Sequence, residues 1–303
     1  MPTEKPILRV LTGCTAVGKT DWALRWAEER DAEIISCDSL LFYRGMDIGT
    51  AKPTPVERAR VVHHLVDICD VTERMDITRY VNLARAALGE IVARNRTALV
   101  VGGSGFYLKA FFGAVADDVA VPPAIRQEVG CLTLEQALQK LRGLNPAGLG
   151  GLDVANPRRV TRALERCLAS GETIPELTAK FARIPSPFDD WRVRLTQIDR
   201  PPAELAERIA RRVTQMLRDG LIDEVRGLVA RGLRENPSAS RAIGYREVLD
   251  RIDGRMDVDE LAREIAKNTQ ALVKKQRTWF RTQLPAHRVV LTDTLRGSSD
   301  LFD

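Results

Sequence analysis

Aromatic residues make up only 5% of this 303-residue chain, and it has just three histidines. Its five cysteines, Cys14, Cys37, Cys69, Cys131 and Cys167, are odd in number and far apart, with no CxxC pair. With His63, His64 and His287 as the only imidazoles, no zinc-type ligand spacing forms. Two adjacent histidines on a strand point to opposite sides, so His63 and His64 read as structural. The widely scattered thiols argue against a disulfide framework and for reduced cysteines in a cytoplasmic protein. No stretch approaches the ~18 uncharged apolar residues that a membrane span needs. Residues 1–7 are not followed by the apolar segment of a secretory signal. No internal repeat and no low-complexity tract is visible.

What is present is the balance of a globular protein: 44% hydrophobic and 29% charged residues, enough for a full core without metal or disulfide support. Lys and Arg outnumber Asp and Glu by 46 to 41, a formal charge of +5. That excess permits a polyanionic partner without requiring one.

Apolar runs at 7–12, 32–37 and 97–101 read as buried strands. Residues 19–30 and 76–94 repeat their apolar positions at helical spacing between them. Strands alternating with helices predict an α/β fold, a parallel sheet with helices on both faces. From about 117 to 190 the texture becomes helical and proline-rich, with no convincing strand. This predicts a core domain over 1–116 and 191–303, interrupted by a helical insertion over 117–190. Residues 191–198 read as a strand returning to the sheet, 203–231 and 258–283 as long helical segments, and 289–291 as a last short strand.

Gly13-Cys14-Thr15-Ala16-Val17-Gly18-Lys19-Thr20 fits G-x-x-x-x-G-K-[ST] at every fixed position, between a predicted strand and a predicted helix. Chance alone produces such a match in roughly one chain in a hundred of this length. The glycines let the backbone wrap a phosphate, successive N–H groups aim at its oxygens, and the helix dipole favours the negative charge. Lys19 adds a point charge, and the Thr20 hydroxyl suits Mg2+. The motif specifies phosphate binding; kinases, NTPases and diphosphate-releasing transferases all use it.

Asp38 follows the second strand, on the carboxyl edge where ligands of open parallel sheets bind. Metal ligand, general base and turn cap are all open to it there. The connection that follows is long, and long ordered loops at sheet ends are usually functional.

Here the chain resembles a known family. Ser36-Cys37-Asp38-Ser39, followed by Tyr43 and Met46-Asp47-Ile48-Gly49-Thr50-Ala51-Lys52-Pro53, is similar to the I-S-x-D-S-x-x-x-Y-x-x-M-D-I-G-T-A-K-P stretch of tRNA dimethylallyltransferases. Gly102-Gly103-Ser104-Gly105-Phe106-Tyr107-Leu108-Lys109 resembles their G-G-T-G-L-Y-L-[RK]. Asn156-Pro157-Arg158-Arg159-Val160-Thr161-Arg162-Ala163-Leu164-Glu165 resembles N-x-x-R-x-x-R-A-L-E, and Arg241-Ala242-Ile243-Gly244-Tyr245-Arg246-Glu247 resembles R-x-x-G-Y-[KR]-E. Lys275-Gln276-Arg277-Thr278-Trp279-Phe280-Arg281 is similar to the family's Q-x-T-W-F-R block. The blocks run in family order from residue 13 to 281. Leu41 and Ser104 stand where many members carry Gln and Thr, and the stretch 141–152 is short and glycine-rich.

The resemblance implies a P-loop NTPase-like core with a small tRNA-contacting insertion. It also implies transfer of a dimethylallyl group from dimethylallyl diphosphate to the exocyclic amine of adenosine 37, 3′ of the anticodon. Asp38 would then be the base, with Lys19, Thr20 and Arg241 at the reacting groups and Mg2+ on the diphosphate held by residues 13–20. The tRNA anticodon loop would meet Asp38, Ser39, Leu40, Leu41, Ser104, Arg126, Arg158, Arg159, Val160, Thr161, Arg162, Lys274, Arg277 and Arg281. Trp279 and Phe280 at helical spacing read as core, and a monomer is expected.

Two other enzymes compete. An adenylate isopentenyltransferase would share the front half of the pattern but has less use for an arginine-rich insertion. A small-molecule P-loop kinase needs paired arginines closing on a γ-phosphate, which the sequence does not advertise. A non-catalytic RNA-binding protein is disfavoured by the intact Lys19, Thr20 and Asp38.

Overall fold

A computed structural model describes residues 4–302, which pack as two compact units, 4–112 with 187–302, and Gly113–Ser186. The second unit starts at Gly113 rather than 117 and ends at Ser186 rather than 190.

The first unit is built on six parallel strands in the order β3-β2-β4-β1-β5-β6. They are β1 (Ile7–Thr12), β2 (Ala32–Ser36), β3 (His63–His64), β4 (Thr97–Val101), β5 (Arg192–Asp199) and β6 (Arg288–Leu291). β1 is central, paired along its whole length with β5 from Ile7↔Arg192 to Thr12↔Gln197, and with β4 on its other side. β2 is buried at every position, Glu33 included, whose carboxylate is met by His64 and Arg94. The histidine pair has the structural role expected: His63 Nδ1 bonds to Val61 O, and His64 Nε2 to buried Glu33.

The helices follow in chain order: α1 (Lys19–Glu29), α2 (Pro55–Arg60), α3 (Ile77–Ala93), α4 (Gly105–Leu108), α5 (Pro123–Gly130), α6 (Leu134–Leu144), α7 (Pro157–Ser170), α8 (Ile174–Phe181), α9 (Pro202–Arg218), α10 (Leu221–Ala230), α11 (Pro237–Ser240), α12 (Tyr245–Ile252) and α13 (Val258–Gln283). α3 shows how such an element arises. Asp76 caps it by accepting from Arg79 N at 2.8 Å, and Ile77, Tyr80, Val81, Ala84, Ala87, Leu88 and Ile91 bury one stripe. α1 buries Ala23, Leu24, Trp26 and Ala27 against Leu11, Ile34, Leu99 and Ile198 of the sheet. The segments on either side of the second unit are tied together by Phe111 and Phe188, stacked at 4.4 Å.

One expected element is corrected. Residues 203–231 are two helices, because Gly220 at φ +98° takes the left-handed conformation that ends α9 and starts α10 in a new direction.

The second unit is helical, α5 to α8, with no strand among its described residues. Asn156 caps α7 ahead of Pro157, and Gly171 at φ +73° ends it. Val160, Leu164 and Cys167 join Val129, Ala137, Leu141 and Leu177 in this unit's own core.

Candidate active site

The phosphate loop leaves the carboxyl end of β1 and opens α1. Lys19 Nζ donates to the carbonyls of Gly13 (2.8 Å) and Cys14 (2.9 Å). The loop's outer carbonyls are held from α9, where Arg208 Nε donates to Ala16 O (2.8 Å); Arg200, just before that helix, donates from Nε to Val17 O (2.8 Å). From α13, Gln276 accepts from Thr15 N at 3.0 Å and donates to Gly103 O at 3.1 Å, joining the loops after β1 and β4.

These loops line a cavity of about 1220 Å³. It brings together Thr15, Ala16, Gly18, Lys19, Thr20, Asp38, Ser39, Leu40, Leu41, Ser104 and Arg241, all singled out from sequence. Asp38 accepts from Leu40 N at 3.0 Å through Oδ1, which closes the turn after β2. The cap role is therefore filled, yet the carboxylate still lies on the cavity and near enough to Lys19 and Arg212 to act on their charges. Desolvation pulls the Lys19 ammonium down from 10.5 to about 8, against the opposing attraction of Asp38.

Four residues sit differently from what the sequence suggests. Cys14 and Val17 are fully buried, with Cys14 Sγ aimed at Val273 O and Val17 in the core against α1, so only their backbones face an anion. Val160 is likewise buried in the second unit's core and offers RNA no side chain. Arg277 is half-buried and has partners of its own: its Nη2 bonds to Asp199 Oδ1 (2.8 Å) and Arg200 O (2.7 Å), where that turn of α13 meets the end of β5. Its neighbours Lys274 and Arg281 are exposed. Phe280 is core and Trp279 half-buried.

In the second unit Arg126, Arg158, Arg159 and Arg162 are exposed and Thr161 half-buried, whereas Arg166 is ion-paired with Asp117. Sequence reasoning missed Arg208 and Arg212, which line the cavity, and Gln276. Paired arginines therefore do face the phosphate loop, and their supposed absence no longer counts against a kinase. Their spacing of four on α9 was a visible signal, but periodicity alone does not say what lies opposite.

Comparison with known proteins separates these readings. The IPP transferase family model matches residues 41–283. The chain is 68% identical over 301 residues to a tRNA dimethylallyltransferase of Opitutus terrae, covering 99% of this chain and 98% of the relative. It is 41% identical over 278 residues to that of Salinispora tropica, covering 89% and 84%. The solved tRNA isopentenylpyrophosphate transferase of Bacillus halodurans aligns with a TM-score of 0.68 at 33% identity, over 95% of this chain and 89% of that one. A eukaryotic dimethylallyltransferase acting on tRNA gives a TM-score of 0.80 at 23% identity, over 91% and 70%, a likeness of fold. A phosphate loop and a carboxylate on one cavity, in a chain matched by the family model over 41–283 and 68% identical over 301 residues to one such enzyme, place it in the IPP transferase family, among the tRNA dimethylallyltransferases.

Proposed function

We propose that this chain transfers a dimethylallyl group from dimethylallyl diphosphate to the exocyclic amine of adenosine 37 in tRNA, releasing diphosphate. The observation that carries the reading is the shared cavity, with an anion cradle and Asp38 on the same wall system. The amides of the phosphate loop and the charges of Lys19, Arg208 and Arg212 stabilise the negative charge that grows on the leaving diphosphate. Asp38 accepts the proton that the amine loses as the carbon–nitrogen bond forms. Arg241 and Ser104, on the same cavity, line the place of the reacting pair.

Magnesium suits this site. The side-chain donors beside the phosphate loop are oxygens, among them the Thr20 hydroxyl and the Asp38 carboxylate, and no His or Cys stands in the lining. Such a set fits a hard cation that keeps its own waters and takes further ligands from a phosphate. Thr20 would hold it, and when bound it supplies neutralisation of diphosphate charge.

An adenine inside this cavity has left its stack, which costs least in a single-stranded loop. The exposed Arg158, Arg159 and Arg162 of α7 supply phosphate contacts to that loop. Prenyl transfer measured side by side on tRNA and on AMP tests the substrate. Incorporation into tRNA with little into AMP is expected, and the reverse preference would assign the chain to free nucleotide.

A further inference from the structure

Glu224 lies in the first turn of α10, outside the residues that line the cavity, and the chemistry above makes no use of it. Its Oε2 accepts from the amides of Asp47 (3.0 Å) and Ile48 (2.6 Å), and its Oε1 from the amide of Gly49 (3.1 Å) and the hydroxyl of Tyr245 (2.7 Å). Three successive amides converging on one anion form a nest, and bonds to a charged acceptor are the strong ones. Residue 49 is glycine for want of space: an added Cβ would come within 2.5 Å of the Tyr245 ring. The loop is thus wedged between ring and carboxylate. At its far end Lys52 Nζ donates to Tyr43 O (2.7 Å) and pairs with Asp47 (2.7 Å) and Asp67 (2.5 Å).

This loop is itself cavity wall, from Asp47 to Pro53. Its next residue passes the geometry on, because Thr50 O accepts from Arg212 Nη2 at 3.1 Å. Arg212 stands on the cavity with Asp38, the two charges interacting.

We infer that Glu224 is a positioning residue for the transfer reaction: seated in the amide nest of Asp47, Ile48 and Gly49, it fixes the loop whose Thr50 carbonyl holds Arg212 on the cavity that Asp38 also lines. The inference rests on the reading of Asp38 and the phosphate loop as the reacting centre. The gap in chain order is wide, since a carboxylate on α10 acts through the loop after β2 on an arginine of α9. Gly220, in the left-handed conformation, caps α10 at its start and so sets Glu224 in that helix's first turn.

Glu224→Gln keeps the shape but turns one acceptor into an N–H donor facing other donors. Its kcat should fall about 10- to 100-fold, the scale of a small misplacement at a reacting centre. The KM for dimethylallyl diphosphate should stay within about threefold, since uniform binding is not what is lost. Arg212→Lys is made alone and together with Glu224→Gln. If Glu224 acts through Arg212, the double variant matches the poorer single within about twofold, the two changes being coupled. Losses that multiply, or an unchanged kcat in Glu224→Gln, overturn the inference. If Glu224→Gln does not fold, Glu224→Asp, which keeps the charge on a shorter stem, is used in the same cycle with the same criterion. Absence of transfer by the unaltered chain would overturn the proposed function and this inference together. Transfer by the unaltered chain with multiplying losses overturns the inference alone.

Discussion

Burial pulls the Lys19 ammonium down to about 8, because desolvation outweighs the pull of Asp38. A bound diphosphate restores the case for the proton, so binding should take one up above that pH. Titration calorimetry in buffers of different ionisation enthalpy should show proton uptake and falling affinity as pH rises through about 8. Pure pH-independence there would contradict the assignment. For folding the sign is opposite. The unfolded chain holds the extra proton between about 8 and 10.5, so the cost of burying the charged Lys19 is relieved, and stability rises, as pH climbs through that window. At the other end of the chemistry, Asp38→Asn preserves shape and removes the base. Transfer should drop by about 10²- to 10⁴-fold with tRNA affinity nearly unchanged in a filter-binding assay; full turnover would return Asp38 to being a turn cap.

α7 and α13 show how far an element's periodicity reaches. Asn156, Pro157 and Gly171 fix the ends of α7 locally, and its buried and exposed faces were legible because the helix packs on its own unit. Replacing both Arg158 and Arg162 with alanine should weaken tRNA binding and reduce the slope of log K against log salt by about 1.4 to 1.8, the loss of two phosphate contacts. An unmoved slope would take α7 off the RNA. Leu164→Ala, in contrast, opens the core of the second unit and should cost about 2–5 kcal/mol in that unit's denaturation. Arg277 on α13 was not legible, since its spacing matches Lys274 and Arg281 and only the passage of the helix over Asp199 turns it inward. Arg208 and Arg212 were hidden for the mirror reason. A basic face on a helix looks solvated until something is found opposite it, and here that is the phosphate loop.

Across the whole molecule, the parallel sheet was readable because strands covered on both faces are mostly apolar along their length, Arg9 and Glu33 notwithstanding. The place of the helical insertion was readable because its proline-rich texture contrasts with the α/β pattern. Asp38, Lys19, Thr20, Ser104 and Arg241 could be picked out one by one from motifs, but their meeting on one cavity depends on strand order. β1 lies between β4 and β5, with β4 alone separating it from β2, and no local pattern encodes that order. The central claim is that a carboxylate and an anion cradle on this one cavity prenylate a tRNA base. It is tested most directly by digesting tRNA to nucleosides after incubation with the full chain, dimethylallyl diphosphate and magnesium, and mapping the modified residue by mass spectrometry. A dimethylallyl adenosine at the position 3′ of the anticodon, absent when Asp38→Asn replaces the unaltered chain, is the result expected. Unmodified tRNA, or the group on another nucleoside, would contradict it.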